Sequence, residues 1–489
     1  GVLRLGGTIR GHLIVVDGDV IFLEGAEVTG DVTVVGGTAH GLDAARLAGT
    51  VTEYGEGFGL LAGAGRFHDG RSDWRDRWAD RDRDGDDWGR AGISVRVAQN
   101  YNRVEGLPVQ IGPSIRTGGD FQTRIEAMGV WRTDVGPLTD TERMGYFARV
   151  EQFLARDGTL RGGATVRSTI NAIESWTLSD LEASLAAAVL HDDQRDYFER
   201  EGWSAYLRLS PPSTDLDFTV EYRDESHRTV AARDPWTLLD GDKPWRDQPL
   251  VGEGDLRLGA ATLRWDARRG GDFALRGWFA RAEVLRGLDG SLSLPVATTT
   301  GTAVQTFDSD FTTGLLDIRR YATAGRAGSF ALRAVAGGSL DGNPLAPQFQ
   351  HALGGAGTLP GYSLMSVDCG ARGSSVPHGA ASAPFFGSYG CDRFALFQAE
   401  YRGGLDFHFG GDDYDDDAPW HFDAGVDWTV FFDAARGWAL GSDPARSNTE
   451  TLYDVGAGVI LGGFGVYGAV PLSGQDRGLR VFVRLGPRF

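Results

Sequence analysis

The 489-residue chain is short of sulfur and of proline, with two cysteines, three methionines and 18 prolines. It has no apolar run near the ~18 residues of a membrane-crossing helix; the richest helical stretch is LEASLAAAVL (181–190). A transmembrane helix is therefore excluded, whereas a transmembrane barrel is not, because alternating strands keep the mean hydropathy low. Positive charge is also scarce, 48 Lys and Arg against 67 Asp and Glu for a net charge of −19, which argues against a nucleic-acid partner. No Walker A loop, G-x-S-x-G elbow, H-E-x-x-H helix or C-x-x-C pair occurs, and the nine histidines lack metal-ligand spacing. No enzyme and no obligatory cofactor are expected. Glycine is abundant, at 72 residues, but without a G-X-Y period, so collagen is excluded. At 41% hydrophobic residues the chain is too apolar to be disordered.

The chain opens on Gly1 without a secretory signal, as expected of a processed chain or a piece of one. Cys369 and Cys391 lie in one loop-like stretch, and export into an oxidising compartment favours a local disulfide over two unrelated thiols.

Residues 1–67 carry a repeat: GHLIVV (11–16), GDVTVV (30–35) and GTVTEY (49–54) recur every 19 residues. Short β segments at a fixed period between glycine turns indicate a β-solenoid-like stub, with Leu13, Val15, Val32, Val34 and Val51 facing a common interior; a small antiparallel meander is the rival reading. Residues 68–91 form a charged connector with Trp74, Trp78 and Trp88, read either as a membrane-boundary segment or as a solvated linker. Within it Asp80, Asp82, Asp84, Gly85 and Asp86 match the first half of a calcium loop, but Ala91 stands where the bidentate acid belongs. A second acidic run, GDDYDDDAP (410–418), lies between His408 and His421 and reads as a divalent site or a solvated turn.

From residue 92 to 489 the sequence alternates with period two. Trp203, Ala205, Leu207 and Leu209 oppose Ser204, Tyr206, Arg208 and Ser210; Trp428, Val430 and Phe432 oppose Asp427, Thr429 and Asp433. Charges on one face and aromatics on the other fit a barrel with lipid outside and a polar lumen. Short turns (117–120, 156–159, 211–214, 267–271) alternate with long connections (133–144, 170–202, 226–255, 285–306, 339–391), the pattern of tight periplasmic turns and long surface loops. An amphipathic helix is expected within 170–202. Sixteen strands are expected, the last over 477–489, with Phe489 on its lipid-facing register as a C-terminal barrel signal.

Five segments then carry a resemblance: LGGAGTLPGY (353–362), FALFQAEYR (394–402), FFDAA (431–435), GVYGAVPLSG (465–474) and YNRVEGLPVQIG (101–112). They resemble the bacterial surface antigen superfamily, which includes outer-membrane assembly factors and two-partner secretion transporters. The resemblance implies an all-β, 16-stranded antiparallel transmembrane barrel in the bacterial outer membrane, with an inserted sixth surface loop (339–391). Gly354, Gly355, Pro360, Gly361 and Tyr362 would anchor that loop against a lumenal strand carrying Phe431 and Asp433, with Glu400 beside it. Two positions depart from the pattern. Pro360 replaces the family's loop arginine, removing its charge-assisted contact to Asp433, and Ala435 replaces the last glycine of the strand motif. Residues 1–67 show no polypeptide-transport-associated pattern; they loosely resemble bactofilin-like β-helices that polymerise. Asp423, Asp427, Asp433, Glu400, Arg480 and Arg484 are read as paired lumenal charges rather than a catalytic cluster. The resulting expectation is a barrel in contact with outer-membrane lipid, with a periplasmic or self-polymerising partner on residues 1–67. It would act in insertion or translocation of proteins or lipids, or as an envelope scaffold. A passive diffusion channel is the alternative.

Overall fold

The structure, a computed structural model, describes most of residues 2–54 and 90–489. Residues 55–89, 135–143, 240–243, 270–275, 370–389, 410–421 and 441–449, with gaps of one to three residues elsewhere, lie outside the described residues. The connector tryptophans, the calcium-like Asp80–Asp86 run and the acidic run 410–418 all fall there.

The first 54 residues build nine short strands: β1 (Val2–Leu5), β2 (Thr8–Ile9), β3 (Leu13–Val16), β4 (Asp19–Phe22), β5 (Glu27–Val28), β6 (Val32–Val35), β7 (Ala39–His40), β8 (Arg46–Leu47) and β9 (Val51–Tyr54). They pair only in parallel, as three separate sheets ordered β1-β4-β7, β2-β5-β8 and β3-β6-β9. Thr8 lies opposite Glu27 and Glu27 opposite Arg46; Leu13 lies opposite Val32 and Val32 opposite Val51. Every one of these steps is the 19-residue repeat. Val20, Phe22, Ala26, Val28 and Val32 are buried together, with Leu5, Ile9, Leu13 and Ala45 packed against them. An antiparallel meander is thereby excluded.

The remainder is one 17-stranded antiparallel sheet in sequence order. Its strands are β10 (Arg90–Val97), β11 (Pro108–Arg116), β12 (Thr123–Arg132), β13 (Gly145–Phe153), β14 (Leu160–Ala172), β15 (Tyr197–Leu209), β16 (Leu216–Thr229), β17 (Gly254–Asp266), β18 (Gly277–Thr298), β19 (Gly301–Asp308), β20 (Thr312–Ala324), β21 (Gly328–Ser339), β22 (Arg393–Phe409), β23 (Phe422–Trp438), β24 (Leu452–Leu461), β25 (Phe464–Pro471) and β26 (Arg480–Leu485). The expected count of sixteen is corrected by one. The connection 285–306, expected as a long loop, is largely strand: β18 runs on into it and β19 folds back. Residues 277–286 of β18 pair with β20, whereas residues 291–298 pair with β19. Sixteen strands thus make the continuous wall, and β19 is the return strand of a hairpin arm standing beyond it. Among the described residues, no pairing joins β26 to β10.

Period-two alternation sorts the wall into two faces. One face is apolar and exposed: Ile93 (73%), Trp203 (45%), Leu207 (50%), Val459 (48%), and with them Val166, Phe330 and Val483. The other is polar and buried, with Glu126, Arg149, Glu151, Asp317, Arg333, Glu400 and Asp433 each no more than 4% exposed. This inverts the distribution of a water-soluble β-sandwich, whose apolar face is the covered one. The sheet is strongly curled, since Glu182, between β14 and β15, meets Arg484 on β26. Ten strand spacings separate β15 from β26 along the wall, about 48 Å if the sheet were flat. The only α-helix among the described residues, α1 (Asp180–Leu190), belongs to that crossing connection. It lies within the 170–202 connection where a helix is expected. No described helix is long and apolar enough to cross a membrane.

Candidate functional site

The described residues of the connection from β21 to β22 (340–367, 369 and 390–392) turn back against the polar face. Leu353, Leu359, Tyr362, Cys369 and Cys391 are buried with Val335, Phe394, Leu396 and Ala435 of the wall. Cys369 and Cys391 are disulfide-bonded. Gly437 of β23 lies beneath the bond, where a Cβ would collide with Cys391 Sγ. The loop turns sharply at Gly354 and Gly355, both at positive φ (105° and 92°), a region that costs any residue with a Cβ. The Gly355 amide donates to the carbonyls of Leu359 (3.1 Å) and Tyr362 (3.2 Å), which tightens residues 354–362 into a compact knot.

That knot is held by three strands. The Gly361 amide donates to Asp454 Oδ2 (2.7 Å), and the Tyr362 hydroxyl to the Tyr453 (3.0 Å) and Ser473 (2.8 Å) carbonyls. Arg480 of β26 donates to the Gly361 carbonyl (3.1 Å) and to Ser363 Oγ (2.7 Å). Gln398 of β22 donates to the Thr358 carbonyl (3.1 Å). Pro360 is buried in the knot and brings no charge to it.

The carboxylate facing that gap finds a different cation. Asp433 and Asp454 lie directly opposite on β23 and β24, a pairing of like charges that is unfavourable alone. Arg488, following β26, supplies the guanidinium: its Nη2 is 2.5 Å from Asp433 Oδ2, both side chains are fully buried, and it lies 3.8 Å over the Phe431 ring. Glu400 accepts from Arg402 Nε (2.6 Å) and Thr429 Oγ1 (3.0 Å). Phe489 follows Arg488 inward and is buried with Tyr321 and Ala331. This corrects the expected lipid-facing position of Phe489: β26 ends at Leu485, and the pull of a buried carboxylate on Arg488 takes the last residue inside.

A second layer caps the same end. Arg103, between β10 and β11, is fully buried against Asp193 (3.1 Å) and Asp196 (2.5 Å), and Arg246 also reaches Asp196 (2.7 Å). Arg195 bridges to Asp180 at the start of α1 (2.6 Å). Glu105 in this layer has its carboxyl pushed up to about 7 by burial, against the pull of Arg132 at 3.0 Å. Residues 101–107, which connect β10 to β11, form this capping loop. A cavity of about 300 Å³ lies on the polar face, walled by β10 to β18.

Sequence reasoning found the loop motif and the lumenal acids but not Arg488, the Arg103 cluster or the cavity. The shared parity of Arg480, Arg484 and Arg488 was the available signal for the first. Nothing local marks the other two, because their members come from four connections and from strands far apart in sequence.

A curled antiparallel wall, greasy outside and ion-paired inside, with connections folded onto its polar face, has the architecture of a transmembrane β-barrel. No protein-family model matches the chain, and no curated protein matches its sequence. Among solved structures it is similar to BamA from Haemophilus ducreyi lacking POTRA domains 1–3. There the identity is 13% and the TM-score 0.44, over 82% of this chain and 70% of that one. It is also similar to CdiB from Escherichia coli (12% identity, TM-score 0.36), covering 81% of this chain and 61% of that one.

Proposed function

We propose that the chain is a bacterial outer-membrane β-barrel, closed by its sixth loop, that acts in inserting or translocating proteins or lipids. The observation that carries this reading is the knot at 354–362, tied to Asp454, Tyr453, Ser473, Arg480 and Gln398. A loop bound to that many wall groups is a fixed plug, and a plugged barrel works through its wall and its flanking elements rather than as an open pore. The three parallel sheets of residues 2–54 form a β-solenoid on the side of the shorter turns, the periplasmic side. There they offer open strand edges to a partner or to further coils of another copy. An envelope scaffold is the second reading, favoured by that repeat and by Pro360 in place of the loop arginine.

Planar-bilayer recording with the purified protein, paired with assisted insertion of an unfolded outer-membrane protein into vesicles, tests the proposal. The expected result is no steady conductance together with accelerated insertion. A steady large pore overturns the plug in favour of a diffusion channel; a closed barrel that accelerates nothing leaves the scaffold.

A further inference from the structure

Beside the described part of the plug lies the cavity of about 300 Å³, and it has a distinctive wall. It runs along β16 from Asp217 to His227, ten residues or about 33 Å of strand, and Gln348 and Phe349 of the sixth loop line its far end. At its centre three arginines meet two carboxylates. Glu221 serves both Arg223 (2.8 Å) and Arg167 (3.6 Å). Glu225 serves Arg200 (2.6 Å) and also accepts from His227 (3.1 Å). The second ring nitrogen of His227 faces the Gln348 side-chain amide at 3.2 Å, so with that amide donating, the ring is neutral and the centre keeps an excess positive charge.

The two signs are also placed differently. The Glu221 and Glu225 side chains are 4% exposed, whereas those of Arg167, Arg200 and Arg223 are 14%, 13% and 19% exposed. Carboxylates sit in the wall and guanidinium edges face the space. Arginine presents a planar fork matched to phosphoryl oxygens, and low-dielectric walls focus its field. In a chain of net charge −19, a concave surface of opposite sign is a selected environment rather than an average one. The volume is at the lower end of small-ligand sites.

We propose that this cavity is a binding site for a phosphoryl-bearing anion, held by Arg167, Arg200 and Arg223. The proposal goes beyond the insertion or scaffold reading and does not depend on either. Such an anion is either free in the periplasm or the headgroup of a phospholipid drawn from the wall.

Calorimetric titration of the full chain in zwitterionic detergent uses inorganic pyrophosphate and, separately, dihexanoyl phosphatidylglycerol. Saturable one-to-one binding of pyrophosphate is expected, weakening as salt rises. The double variant Arg200→Gln/Arg223→Gln should bind at least tenfold more weakly, while Arg257→Gln on the exposed rim should not change. If phosphatidylglycerol competes, the source is lipid; if only pyrophosphate binds, the source is free anion. Should the double variant fail to give the heat-modifiable gel mobility of a folded barrel, Arg200→Lys/Arg223→Lys keeps the charge but removes the fork and should still weaken binding. Absence of saturable pyrophosphate binding, or binding indifferent to both double variants, overturns the proposal. Neither result bears on insertion activity, so the two readings fail separately.

Discussion

At the scale of single residues, the interior is stabilised by ion pairs that tolerate no half-measures. Arg488 and Asp433 are both fully buried, and losing one partner strands the other charge at a cost of about 3–5 kcal/mol. Arg488→Ala should therefore lower the thermal midpoint of the heat-modifiable form sharply, and Asp433→Asn/Arg488→Met should recover much of the loss. A single variant as stable as the wild type contradicts the pairing. Glu105 gives a pH-dependent counterpart. Its folded carboxyl, pushed up to about 7 by burial, holds its proton more tightly than the unfolded chain, whose value is near 4.5. The stabilisation is complete below about 4.5 and is lost as pH rises through about 7. Hydrogen exchange of residues 98–107 should accelerate between those values, and Glu105→Gln should flatten the profile. An unchanged profile in Glu105→Gln rules out that carboxyl as its origin.

At the scale of elements, α1 shows how local sequence and distant contact share one residue. Ser179 and Glu182 form a capping box, and the same Glu182 carboxylate accepts from Arg484 Nε (2.6 Å) and the Leu485 amide (3.0 Å). Removing the cap with Ser179→Ala costs about 1 kcal/mol. Glu182→Gln also leaves Arg484 buried without its carboxylate and should cost about 3 kcal/mol or more; the reverse order of melting temperatures discounts the link. The strands of the wall were readable because lipid on one side and charges on the other impose alternation on each of them separately. The 19-residue repeat was readable because, from Thr8 to Tyr54, each coil repeats one local pattern. What failed to show was set by distance. β19 was missed because residues 291–307 contain no charged side chain and so show no polar face. Phe489 was misplaced because its alternating register says nothing of a carboxylate on β23. The knot at 354–362 was legible as a motif; its Arg480 and Gln398 partners were not.

At the scale of the whole molecule, the decisive quantity is what covers the outer face. Val166 and Leu207, on adjacent strands, are about half exposed. In water an arginine at such a position changes stability by within about 0.5 kcal/mol, as surface substitutions usually do. In a bilayer the same charge near the midplane costs about 2–4 kcal/mol, falling towards zero at the interfaces. Leu207→Arg should therefore destabilise the chain in vesicles while Arg257→Gln, at the rim, should not. The difference should shrink in short-chain detergent, where the headgroup layer is close. Equal stability of Leu207→Arg and wild type in vesicles, measured by denaturant titration, means that hydrocarbon does not lie against this wall. In that case the inverted faces need a protein partner large enough to cover all sixteen strands, an obligate assembly rather than a membrane-spanning monomer. Cross-linking at Leu207→Cys separates the two, because lipid gives no protein adduct.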